Sequence, residues 1–142
     1  MRTLLTEPMT LYHGTGPGFT DFEASKMLHL GTVEQAMMRQ RGVVVGCLVG
    51  RLALLRKKDR GGDWKRQVTE IRSKGLDGVV YLNRYEGIPR GRFAELEKRG
   101  YTHEQLNKLP DSKFKALVPE AQDSYLLLDK KRVIVDAVAT VK

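Results

Sequence analysis

A chain of 142 residues with 41% hydrophobic and 30% charged side chains has the length of a single domain, 1–142, and an ordinary globular balance rather than a disordered one. Its 25 basic and 17 acidic residues leave a formal net charge of +8, which bears on partners rather than fold: phosphate-bearing partners, nucleic acid or a dinucleotide, or simply a solubilising surface. The one cysteine, Cys47, excludes an internal disulfide framework and any cysteine-rich metal site, and no apolar run approaches the roughly 20 residues that span a bilayer, so the expectation is a cytoplasmic protein with no membrane partner.

In chain order, Thr10 to His13 reads as a short strand running into the glycine-rich Gly14-Thr15-Gly16-Pro17-Gly18. A brief strand follows around Leu28 to Leu30. Thr32 and Gln35 have capping-box spacing and predict a helix from Val33 to about Arg41, ended by Gly42. Val43 to Arg56 is β-branched and apolar, one long bent strand or two, with a bulge at Gly46 or Gly50. Lys57 to Gly62 is a charged loop. Asp63 caps a predicted helix to about Lys74 with Gly75 as its stop, and Trp64, Val68 and Ile71 lie on its buried face. Gly78 to Leu82 is a strand of the buried type.

Residues 87–120 change character, with Pro89, Pro110, Pro119, many basic residues and few large apolar ones. They predict two short polar helices, the second capped by Thr102 with Gln105, in a peripheral insertion between core strands. Ser124 to Leu128 and Val133 to Val141 supply the last strands. Short strands interrupted by helices, without regular βαβ alternation, predict an α+β domain.

Tyr12-His13-Gly14-Thr15, followed by Pro17-Gly18-Phe19, places an imidazole, exposed backbone groups and a small hydroxyl residue at a strand end. The segment resembles the first motif of the ADP-ribosyltransferase superfamily, in its diphtheria-toxin and poly-ADP-ribose-polymerase branch. His29-Leu30-Gly31-Thr32-Val33-Glu34-Gln35-Ala36 is similar to the second motif, and Asp123-Ser124-Tyr125-Leu126-Leu127-Leu128-Asp129 to the third. Gly75 to Asn83 resembles the inner strand of phage-associated transferase-like domains of the superfamily. The resemblance implies a split β-sheet core with short helices and a helical insertion over 87–120. It implies NAD as co-substrate, with His13 on a ribose hydroxyl, the Gly14 backbone on the nicotinamide carboxamide, and Thr15, Thr32 and His29 completing the cofactor site. It further implies a mono-ADP-ribosyltransferase or NAD glycohydrolase, toxin-like in type, that cleaves the nicotinamide–ribose bond.

Two departures from the family pattern qualify the chemistry. Ser124 stands where the family carries its catalytic glutamate, and a serine can orient a ribose hydroxyl but supplies no negative charge. Asp123 is adjacent, yet strand neighbours face opposite sides. Glu86, just past the inner strand, is the candidate replacement acid, with a surface ion pair to Arg84 or Arg90 as its alternative role. The family's stacking tyrosine is also missing, and His29 is its candidate substitute or only a surface residue. Two other functions stay open: a catalytically inactive domain of the same fold that binds nucleic acid or a protein partner through its basic surface, and a metal-independent ribonuclease using His13 and His29 as acid and base. The three histidines have no paired spacing, so no metal site is expected.

Overall fold

A computed structural model describes residues 3–24, 26–60 and 64–142, which form eight strands and five helices. Strands β1 (Thr3–Leu5) and β2 (Met9–Thr15) come first, and β2 carries the motif histidine near its end. After β3 (Leu28–Leu30), helix α1 (Val33–Arg39) starts at Thr32, whose hydroxyl accepts from the Gln35 N–H while the Gln35 side chain accepts from the Thr32 N–H. The apolar run divides into β4 (Val43–Val49) and β5 (Ala53–Arg56); the register with the last strand shifts between Gly46 and Cys47, but the extra residue is Asp136 on the partner strand, so the bulge sits opposite Gly46 rather than in the run itself.

Helix α2 (Lys65–Ser73) begins after Trp64 and ends before Gly75, which takes a φ of 66°. The expected cap at Asp63 lies outside the described residues. Strand β6 (Gly78–Leu82) leads to α3 (Arg90–Lys98), α4 (His103–Lys108) and α5 (Asp111–Leu117), then β7 (Asp123–Leu127) and β8 (Val133–Thr140) close the chain.

The strands form two sheets, ordered β1-β5-β6-β7-β3 and β2-β4-β8. Only the β5–β6 pair is parallel, so the fold is α+β with one mixed and one antiparallel sheet. The sheets share a core in which Leu11, Val45, Cys47 and Val49 meet Leu28, Leu30, Leu54, Val80 and Leu127. Cys47 is wholly buried there and its thiol is pushed up to about 11, chiefly by burial. A second cluster joins Ile71, Val68 and Trp64 to Leu55, Val79, Tyr81 and Leu126, with the Trp64 and Tyr81 rings 4.7 Å apart. No helix among the described residues is long and apolar enough to cross a membrane.

The segment 87–120 departs from its sequence expectation. It holds three helices rather than two, and Ile88, Leu96, Leu106, Phe114 and Val118 bury together with Leu82 and Ala121 in a core of their own. At its centre lies Arg84, 1% exposed. Its guanidinium donates to the carbonyls of Leu106 (2.8 Å) and Leu109 (2.6 Å) and to Asp111 (2.9 Å), and it sits 4.6 Å from the centre of the Phe114 ring. A charge so far from water persists only where such acceptors replace its hydration. The three helices are thereby tied to the chain just beyond β6.

Candidate functional site

β2 and β3 are joined at one point, where Tyr12 and Gly31 exchange both backbone hydrogen bonds (2.8 and 2.9 Å). Hydrogen-bond direction alternates along an antiparallel strand. Since Tyr12 bonds toward β3, His13 bonds toward β4, and the N–H and C=O of Gly14 are directed back into the gap where β3 has turned away to pair with β7. Helix α1 packs closely on the face of β2 beside this gap: a Cβ on Gly14 would overlap the Ala36 carbonyl oxygen and stand 2.7 Å from the Gln40 nitrogen.

A small pocket opens at this split, lined by Tyr12, His13, Gly14, His29 and Leu30 from the two strands, Gln35 and Arg39 from α1, and Tyr81, Glu86 and Ser124 from the facing sheet. The topology therefore gathers His13, Gly14, His29, Glu86 and Ser124 in one place. Thr15 and Thr32 do not line it: the Thr15 carbonyl accepts from the Arg41 N–H (2.8 Å) and the Thr32 hydroxyl is engaged in capping α1. The pocket encloses about 20 Å³, room for roughly one water.

The two histidines are electrostatically similar. His13 Nδ1 lies 2.8 Å from the His29 carbonyl oxygen, an atom that only accepts, so Nδ1 carries the proton and Nε2 is left as the acceptor. Burial lowers the pKa of His13, and the charges of Arg39 and Arg41 lower it further against the opposing effect of that hydrogen bond. His29 is pushed down to about 4 by burial, then by Arg39 and His13. Both rings are neutral at pH 7. Both line the same pocket, and the direction of both shifts favours the neutral ring.

Ser124 and Asp123 face opposite sides of β7, as strand alternation requires. Asp123 makes a two-pronged ion pair with Arg56 (2.7 and 3.0 Å), away from the pocket. Ser124 is buried among polar partners: its hydroxyl donates to Gln35 Oε1 (2.8 Å) and accepts from Asn83 Nδ2 (2.9 Å), and the Tyr81 phenol, pushed up to about 12 mainly by burial, also contacts it. A hydroxyl has one proton to donate, and Gln35 takes it.

Glu86 keeps its carboxylate at the pocket, 32% exposed. Its partners are weak ones, Asn83 Nδ2 at 3.4 Å and Arg39 Nη1 at 3.7 Å, and neither Arg84 nor Arg90 pairs with it. Asn83 shapes this loop, accepting on Oδ1 from the N–H groups of Tyr85 (2.9 Å) and Glu86 (2.8 Å).

Sequence reasoning missed Gln35, Arg39, Tyr81 and Asn83 as site residues. Gln35 is 4% exposed, and besides capping α1 and binding Ser124 it donates to the Gln122 carbonyl (2.9 Å). It fills its place completely: a Cβ on Gly31 would overlap its Oε1, and one on Gly87 would stand 2.7 Å from its Cγ. The capping-box pattern marked the residue but only for its local role. Among the described residues no three His, Cys, Asp or Glu side chains gather as a metal site would need. Comparison with known proteins returns no family model, curated protein or solved structure that matches the chain.

Proposed function

We propose that this chain is an ADP-ribosyltransferase-like domain that binds NAD at the split between β2 and β3 and cleaves the nicotinamide–ribose bond, by transfer to a macromolecule or to water. The observation that carries the reading is the Gly14 backbone, whose N–H and C=O point into the split beside a neutral His13. A carboxamide presents one acceptor and one donor, which that pair complements, and His13 Nε2 can accept from a ribose hydroxyl. Cleavage leaves the bonding electron pair on the nicotinamide nitrogen and positive charge on the ribose. The new bond to the anomeric carbon comes from a nucleophile that loses a proton, so overall charge balances.

The Glu86 carboxylate is the group available to stabilise that developing positive charge, because it is the acidic side chain lining the pocket, whereas Ser124 carries no charge and has its proton committed to Gln35. Ser124 then serves to hold Gln35, Asn83 and Tyr81 in place. The test is NAD titration by calorimetry together with nicotinamide release by wild type, Glu86→Gln and His13→Ala. The reading expects binding that weakens in His13→Ala, and turnover that falls by about 10²–10³ in Glu86→Gln. NAD bound without turnover would favour an inactive domain of the same fold whose basic surface engages nucleic acid or protein. No binding at millimolar NAD would refute both the site and its chemistry.

A further inference from the structure

We propose that Arg39 and Arg41 form a subsite for a diphosphate bridge, and that the Arg39–Glu86 contact is a resting pair which a phosphate-bearing substrate replaces, releasing Glu86 toward the ribose. The inference rests on the NAD reading and adds to it the residues that select a dinucleotide over a simple riboside. Arg39 is the last residue of α1 and lines the pocket, and Arg41, two residues past the helix end, lays its guanidinium beside Gly16, 3.5 Å from where a Cβ there would stand. Their charges both reach His13.

The charge balance at the rim points to an anion. His13 and His29 are neutral, Glu86 offsets one arginine, and among the described residues no carboxylate forms an ion pair with Arg41. One positive charge is thus left over beside the pocket. The existing pair is also a poor one. Arg39 reaches Glu86 through one nitrogen at 3.7 Å, with the two side chains 43% and 32% exposed, whereas phosphate oxygens accept the guanidinium fork in two parallel hydrogen bonds.

Space points the same way. A pocket that encloses about 20 Å³ admits no nicotinamide ring until something at its edge moves. The backbone of Glu86 and Gly87 is anchored, but the Glu86 carboxylate itself is held only by two long contacts, to Asn83 at 3.4 Å and Arg39 at 3.7 Å, and can swing about its side-chain bonds. Transfer of Arg39 to a phosphate removes one of those two contacts at the moment the substrate arrives.

The experiment compares NAD with nicotinamide riboside, which has the same ribosyl bond and no phosphate, by calorimetric titration of wild type, Arg39→Met, Arg41→Met, Glu86→Gln and the Arg39→Met/Glu86→Gln double variant. Arg39→Met is expected to weaken NAD by about tenfold and Arg41→Met by severalfold, neither weakening the riboside, which has no phosphate to lose and, as a cation, is repelled by both arginines. Glu86→Gln frees Arg39 and is expected to tighten NAD severalfold, a gain that disappears in the double variant. NAD affinity unchanged in Arg39→Met, riboside weakened equally, or a Glu86→Gln gain that survives without Arg39 would each overturn the subsite while leaving NAD binding intact. Wild type binding neither ligand overturns the NAD reading itself, and the subsite falls with it.

Discussion

Replacing Ser124 with alanine separates a catalytic hydroxyl from a structural one. The substitution removes a buried donor to Gln35 Oε1 at 2.8 Å and a buried acceptor from Asn83 Nδ2 at 2.9 Å. Each such bond contributes a net ~0.5–1.5 kcal/mol, so the loss sums to about 1–3 kcal/mol. The upper half of that range applies because the partners have little else: Gln35 Oε1 keeps the Thr32 N–H at 3.0 Å, but Asn83 Nδ2 keeps only Glu86 at 3.4 Å. For a domain of this size, that upper half of about 2–3 kcal/mol corresponds to a fall of roughly 8–12 °C in Tm, on the order of 4 °C per kcal/mol. Glu86→Gln should shift Tm far less, since its contacts are long, partly exposed and worth under about 1 kcal/mol. The assay is thermal unfolding followed by circular dichroism, run beside nicotinamide release. Ser124→Ala unfolding within a degree of wild type while losing turnover would refute the reasoning and return the serine to the reacting centre.

Acidification should destabilise the protein before its carboxylates titrate. His29 is held near 4 in the fold against 6.5 when unfolded, so the unfolded chain binds the extra proton and stability falls as pH drops from 6.5 toward 4; His29→Asn should flatten urea-denaturation midpoints between pH 7 and 5. Asp123→Asn breaks an exposed pair with Arg56 on the face away from the pocket, and should cost about 0–1 kcal/mol in denaturant melts with NAD affinity unaltered. Gly14→Ala drives a methyl group into the α1 backbone at Ala36 and Gln40, and should lower stability by about 1–3 kcal/mol while weakening NAD in titration, because α1 carries Gln35 and Arg39.

The elements that flank the site were legible because their signals are local. Thr32 with Gln35 announces α1, the β-branched run announces β4 and β5, and Gly75 ends α2. The three-residue β1, exposed throughout, offers no alternation to read. Helix α5 starts after Pro110 without a side-chain cap, and the apolar content of its lobe is scattered over positions that meet only after folding, so neither showed in the sequence pattern. The site divides along the same line. His13 and Gly14 belong to one contiguous motif, whereas Ser124 meets Gln35 across 89 positions and Asn83 across 41, distances over which composition and spacing carry no information. Glu86 could be named as a carboxylate near the inner strand, but its partner Arg39 comes from a helix whose packing beside the split no local pattern reveals.

Arg84 makes the three-helix lobe inseparable from the loop that bears Glu86. Cutting the lobe out and closing the gap with a short linker would strip the guanidinium of both carbonyls, of Asp111 and of the Phe114 ring at once, leaving a naked charge two residues from the carboxylate. Its outer surface is under no such restraint: Glu104 and Lys108, both more than 70% exposed, face water and touch nothing that holds Arg84. Variation among such outward residues leaves the acceptors of Arg84 untouched, whereas any change to those acceptors would be felt at Glu86 first.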